Sequence, residues 1–389
     1  MTEGESKLML EFIVKGSPKC EEMVKFCHWR PALNTEWHSV DCCEKFFKPV
    51  LTEYGLCYAF NNLPLGGMTN NTLEWQKTFN DNKTSTTTTE WSLDEGYPKV
   101  FPPVAGMIPY RVMASGEANG VSMELYLNTS DHQYDCDGHF MGFNILIRSP
   151  TDHVYSTTIL RLPMDKMTTI EVTPTTYKTD ASLRALLPDL RQCFFQNERK
   201  LQYFEFYTDS NCQQDLLMRE TMEKCKCVMY NWPKTSALEP TCSTEDDFFC
   251  IKNVKEVVEQ LLIYAYYKDS DEQRQHHQAS SSCYPSCNDV LYSSQVYYSD
   301  LGKQRRDDKM DRKEFQKGER TNLNIHFYND MFLGQHRHAQ YDDYYFAGAI
   351  GGLFSLFLGF SIISVAEIVY FVIFKPIYLA FRDIFMKTI

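Results

Sequence analysis

No segment of this chain before Phe346 is apolar for long enough to cross a bilayer. The opening residues, MTEGESKLMLEFIVKGSPKC, contain no apolar core of signal-peptide length. The sequence has no C-x-x-C pair, the spacing in which zinc ligands usually recur, so no metal site is expected. It has no H-E-x-x-H, no nucleophile motif and no phosphate-binding glycine loop, so neither catalysis nor a cofactor is expected. Positive charge is short: 39 Lys and Arg stand against 51 Asp and Glu, a formal net charge of −12. With no basic patch interleaved with aromatics, that balance argues against a nucleic-acid partner. No internal repeat is found.

What is plentiful points elsewhere. The 389 residues include 14 Cys, 26 Phe and 24 Tyr, and the mean hydropathy is −0.40. Two or three domains fit that length, with enough apolar material for sizeable cores. The aromatics favour strands over disorder. Sequons at Asn70, Asn82 and Asn128 agree with an extracytoplasmic location, where cysteines form disulfides. The bulk of the chain is therefore expected to be an oxidised ectodomain, residues 1–345.

One segment is of another kind. Phe346 to Phe374 carries a single ionisable side chain, Glu367, and exceeds the roughly 20 apolar residues a bilayer core needs. It is expected to span the membrane, with residues 375–389 as a short cytoplasmic tail. Lys375, Arg382 and Lys387 follow it and Asp342 and Asp343 precede it, which orients the C-terminus to the cytoplasm. Gly348, Gly352, Ser355 and Gly359 fall on one helical face. Such a stripe suits either a dimerising single span or a symmetric pore whose small residues leave a lumen open. Ser361 lies off that face, so a pore that includes it requires the helix to break near Gly359. A carboxylate inside a span usually faces a bundle interior or an aqueous path, which favours a conduction role for Glu367 over snorkelling.

These residues resemble the second transmembrane segment of the degenerin/epithelial sodium channel family. Gly359, Phe360 and Ser361 match its Gly-x-Ser selectivity filter, and Glu367 matches its glutamate. Gly348 falls at the small-residue position where bulky side chains hold family members open. The resemblance extends upstream through FFKPVLTEYGLCYAFN, LRQCFFQNERKLQYFEFYTDSNC, EKCKCVMYNWP, CYPSCNDVLY and NLNIHFYND, the last being similar to the final palm strand before the membrane. In tone it is nearest the insect pickpocket group.

The resemblance implies an α+β fold: a β-rich, disulfide-bonded palm and β-ball with a helical finger and thumb, plus one C-terminal transmembrane helix. It implies a cysteine-rich thumb region over 193–287, with nested bridges Cys193–Cys287, Cys212–Cys283, Cys225–Cys250 and Cys227–Cys242. A fifth rung of acid-sensing members is missing, because Leu216 and Ser281 stand at its positions. Cys27 pairs with Cys42 or Cys43. In the family the partner of Cys57 follows a first transmembrane helix that is not found in this sequence. Cys20 and Cys136 are unassigned. Leu190 stands where acid-sensing members carry a tryptophan.

Between the landmarks, NKTSTTTTE (82–90) reads as an exposed loop, and GFNILIRS (142–149) and TTIEVTPTTYKT (168–179) read as strands. STEDDFFCIKNVKEVVEQLLIYAYYK (243–268) reads as a helix with an acidic first turn. Residues 268–282, with His276 and His277, and 302–320 read as solvated charged stretches. The function implied is a subunit of a ligand- or stimulus-gated, amiloride-sensitive sodium channel that conducts Na+ across the plasma membrane. Its partners are lipid, Na+ and related subunits in a homo- or heterotrimer. The alternative is a non-conducting, membrane-anchored ectodomain, a truncated subunit that binds or dominantly inhibits full-length ones.

Overall fold

A computed structural model of the protein describes residues 3–29, 36–63, 67–70, 91–97, 109–112, 114–131, 140–153, 159–236, 238–268, 283–301, 319–341, 343–359 and 361–386. Asn82, Cys136, His276, His277, Ser281 and Phe360 lie outside these ranges, as do residues 82–90 and nearly all of the two charged stretches. The chain divides into two units, Met1–His336 and Arg337–Ile389.

The first unit begins with α1 (Glu3–Gly16), α2 (Cys20–Met23), β1 (Val24–Trp29), β2 (Glu36–His38), α3 (Ser39–Lys45) and the hairpin β3 (Phe47–Thr52) and β4 (Gly55–Phe60). It continues through β5 (Val121–Tyr126), a small hairpin of β6 (Gly142–Ile145) and β7 (Leu160–Pro163), and the long β8 (Lys166–Thr179). The thumb helices follow: α4 (Pro188–Arg191), α5 (Asp209–Cys225) and α6 (Glu245–Lys268). Strands β9 (Asp289–Asp300), β10 (Arg320–Phe327) and β11 (Leu333–Arg337) complete it. One seven-stranded sheet runs β11-β8-β10-β5-β1-β2, with β9 paired to β8 off that path. The β10–β8 pair is parallel, whereas β5 lies antiparallel to both β1 and β10.

Strand alternation decides the faces of this sheet. The row Cys27, Met123, Leu323 and Thr168 is in register across four strands and buried, against a core that includes Trp29, Ile170 and Val172. Phe46 and Tyr110 meet Trp29 edge-on at 5.3 and 5.0 Å. β8 covers the expected strand at 168–179. The strand expected over 142–149 ends at Ile145, where its pairing with β7 ends at Leu160; beyond it Ser149–Asp152 closes a turn and Arg148 Nη1 donates to the Asp152 carbonyl. β11 is an addition: the segment read as the last strand before the membrane, now β10, is followed by another.

The thumb has its own core. In α5 the Thr208 hydroxyl accepts from Asn211 N–H at 3.0 Å as the N-cap, and Lys226 ends the helix in the left-handed conformation. α6 starts where expected: Thr244 Oγ1 accepts from Asp247 N–H at 3.1 Å, and Asp247 Oδ2 accepts from the Ser243 and Thr244 amides at 2.9 Å. Ile251, Val254 and Val258 form its buried stripe against Leu216, Leu217 and Met218 of α5. Leu216, at the position of the absent rung, is core packing, whereas Leu190 is 64% exposed.

Six disulfides hold the described residues: Cys193–Cys287, Cys212–Cys283, Cys225–Cys250 and Cys227–Cys242 in the thumb, Cys27–Cys42 and Cys20–Cys43 nearer the start. Of the two partners left open for Cys27, the fold takes Cys42, and Cys43 turns to Cys20. Cys57 is a free thiol 3.4 Å from Thr52 Oγ1, and burial pushes its pKa up.

Candidate functional site

The second unit carries the apolar segment. It is not one helix over 346–374. α7 (Asp343–Leu358) stops at Gly359, and α8 (Ile362–Val369) starts anew. One π-helical turn, Tyr370–Phe374, then joins α8 to α9 (Lys375–Met386). The helical segment thus continues past Lys375, through residues expected as tail. Among the described residues one helical stretch is long and apolar enough to cross a membrane, Ile362–Leu379, with mean hydropathy 1.9. Leu356, Ile362 and Ile363 are 78%, 89% and 71% exposed in the single chain. Side chains of this kind need lipid or protein around them.

The break has a local cause. Gly359 adopts φ +60°, the left-handed conformation that glycine takes without steric cost and that ends helices. Ser361 then caps α8: its hydroxyl accepts from Ser364 N–H at 3.3 Å, while Ser364 Oγ accepts from Ser361 N–H at 3.4 Å. The two helix ends are therefore unequal. The last carbonyls of α7 have lost their i+4 donors and carry the negative end of the helix dipole. The first amides of α8 are partly satisfied by side chains.

Gly359 and Ser361 flank the break, and Phe360 lies outside the described residues. Gly348, Gly352 and Ser355 occupy α7 and are exposed. A Cβ added at Gly348, Gly352 or Gly359 would meet nothing within 4 Å, so no packing inside the lone chain requires these glycines. Glu367 is exposed on α8, one helical turn beyond Ser364. Sequence reasoning passed over Ser364. Its three-residue spacing from both Ser361 and Glu367 was the available signal, since it places polar groups on successive turns of an apolar helix.

The sequon residues differ. Asn128 is exposed, and its Oδ1 accepts from Ser130 N–H at 3.2 Å. Asn70 Nδ2 donates to the carbonyls of Leu201 and Gln202 at 2.9 and 3.1 Å, tying its loop to the start of the thumb. A glycan on that nitrogen would remove one of those donors.

A polar cluster at the thumb base went unread in the sequence. Burial, and then the nearby carboxylates of Asp152 and Asp209, push Asp289 up to about 7. Burial raises Asp152 to about 6 and lowers Arg148 to about 10. His153 is 1% exposed beside the Phe204 ring, and burial lowers it to about 3. Its backbone N–H donates to Asn211 Oδ1 at 2.9 Å, while Asn211 Nδ2 donates to the Thr151 carbonyl at 3.0 Å. These bonds join the 149–153 turn to the first turn of α5.

The amiloride-sensitive sodium channel family model matches residues 2–371. Pickpocket protein 28 of Drosophila melanogaster is 24% identical over 395 residues, covering 96% of this chain and 59% of that protein. The sodium channel protein Nach of Drosophila melanogaster is 21% identical over 375 residues, 93% of this chain and 59% of its own length. Nach of Drosophila virilis is 26% identical over 150 residues, 37% of this chain and 38% of that protein. The chain spans about three-fifths of the length of the two Drosophila melanogaster relatives.

Proposed function

The chain belongs to the amiloride-sensitive sodium channel family, and from that premise we propose that it is a subunit of a stimulus-gated, amiloride-blocked sodium channel. Its ectodomain lies outside the plasma membrane and its C-terminus in the cytoplasm. It assembles as a trimer with copies of itself or related subunits, and Na+ crosses between their apolar segments. The observation that carries the reading is the interruption at Gly359 inside an otherwise apolar helical run. An unbroken helix buries its carbonyls in its own hydrogen bonds. A helix stopped in the membrane leaves carbonyl oxygens that need a partner, and a dehydrating cation is one.

In this arrangement Gly359, Phe360 and Ser361 form the narrow belt, and the α7 carbonyls beside Gly359 present negative charge to the ion. Gly348, Gly352 and Ser355 keep the lumen open above it. Glu367 adds a ring of carboxylates along the same path. The thumb transmits the stimulus as a lever stiffened by its four bridges.

Electrical recording from cells expressing the chain, alone and together with a full-length family subunit, tests the proposal. The expected result is an amiloride-blocked sodium current whose sodium-over-potassium preference falls in Ser361→Ala and Gly359→Ala. Currents with unchanged selectivity in both variants would place the narrow belt elsewhere. No change in current under either condition would remove the conducting role.

A further inference from the structure

The sheet of the first unit carries, on the face away from its main core, a cleft of about 330 Å3 that the channel reading leaves without a task. Two cross-strand rows form its floor. Phe26, Glu124, Asn322 and Met167 are in register on β1, β5, β10 and β8, and beside them run His28, Ser122 and Asn324. A single turn, Glu117–Asn119, overhangs the floor.

Two glycines build that overhang. Gly116 has φ +84° and ψ 163°, a region closed to side-chain-bearing residues, and its N–H donates to the Phe327 carbonyl at 2.9 Å. Gly120 lies so close to β10 that a Cβ there would stand 2.3 Å from the Ile325 carbonyl oxygen. The turn is thereby pressed onto the sheet, and Glu117 Oε1 accepts from Asn324 Nδ2 at 2.6 Å.

Two carboxylates and two primary amides line the cleft, beside the His28 imidazole and the Ser122 hydroxyl. Glu124 is 7% exposed and Asn324 4% exposed. The side-chain oxygens of both Asn322 and Asn324 are buried with no hydrogen-bond partner. Glu117 adds a second carboxylate, and Glu124 forms a long ion pair with Arg320, Nη1 to Oε1 3.9 Å. Unpaired buried amide oxygens are costly and call for a donor. An ammonium supplies three donors, and a positive charge where two carboxylates stand against one guanidinium. The space is larger than a bare ion fills and is part-lined by Phe26 and Met167, as in sites that hold small organic molecules.

We propose that this cleft binds a small organic cation, a protonated amine on an apolar body, with its ammonium among Glu124, Asn322 and Asn324 and its body against Phe26 and Met167. The site lies wholly within the first unit, so it stands or falls independently of ion conduction.

Thermal unfolding of the full chain in lipid nanodiscs, with 2-phenylethylamine, its uncharged analogue 2-phenylethanol, or calcium chloride added, tests the proposal. The amine is expected to raise the unfolding temperature in a saturable way, and the alcohol is not. Glu124→Gln keeps the shape and removes the charge, and is expected to weaken amine binding by about tenfold. Asn322→Ala, at a half-buried position, gives the same readout should Glu124→Gln fail to fold. Equal protection by amine and alcohol, protection by calcium but not the amine, no protection by the amine, or full binding in the variants would each overturn it.

Discussion

Asp289 stands two residues after Cys287, the last cysteine of the thumb, and its Oδ1 accepts from Val290 N–H at 2.7 Å. In the folded protein its carboxyl titrates near 7, and that of Asp152 near 6, against 3.8 when unperturbed. The folded state therefore binds extra protons between about pH 4 and 7, and these two groups withdraw stability as pH rises through that window. His153 acts in the opposite sense. Its folded value near 3 lies below the ordinary 6.5, so the unfolded state holds the extra proton between them and stability rises with pH there. Asp289→Asn keeps the acceptor for Val290 and removes the buried charge. It is expected to raise the melting temperature by a few degrees above about pH 7, the gain vanishing near pH 4. A calorimetric pH series checks this, and a gain independent of pH would show that Asp289 is not the group responsible. None of these three residues stood out in the sequence, because desolvation depends on what the fold packs around a side chain, not on its neighbours in the chain.

At the scale of elements, legibility followed the range of the forces. The α6 helix was readable to within two residues, because its acidic first turn, its cap and its apolar stripe are all local. β8 was readable for the same reason, through its alternation. The break between α7 and α8 was legible as a requirement: Ser361 lies off the small-residue face, and glycine is the residue that can stop a helix inside an apolar run. The turn at Glu117–Asn119 was not legible, since what fixes it is the approach of Gly120 to β10, a strand far along the chain. Gly120→Ala must push that turn off the sheet. It is expected to cost about 1–3 kcal/mol, the usual range for overpacking. Gly67→Ala, where a new Cβ would meet nothing within 4 Å, should stay within about 0.5 kcal/mol. Urea midpoints of the two variants give the comparison, and equal costs would mean that the close approach at Gly120 is easily relieved.

At the scale of the whole molecule, the thumb and the large sheet have separate apolar cores, each held by its own disulfides. The bridge Cys193–Cys287 closes a separation of 94 residues and Cys227–Cys242 one of 15. Loop entropy applied to each alone makes the longer bridge worth about 1.6 kcal/mol more. With Cys212–Cys283 nested inside it, however, the outer bridge constrains only the short arms between the two rungs. Paired alanine substitutions at Cys193 and Cys287 are therefore expected to cost about 3 kcal/mol, close to the cost at Cys227 and Cys242. Chemical denaturation checks this, and an excess of about 1.6 kcal/mol for the outer pair would show that the rungs act independently. The residue pattern by itself determined the kind of molecule, an oxidised ectodomain joined to a glycine-interrupted apolar segment, because cysteine content, hydropathy and spacing are properties of the chain. The partner of Cys27, the protonation of the thumb base and the acceptor-lined cleft were decided only by tertiary structure. Each depends on which distant segments meet and on how much water remains between them.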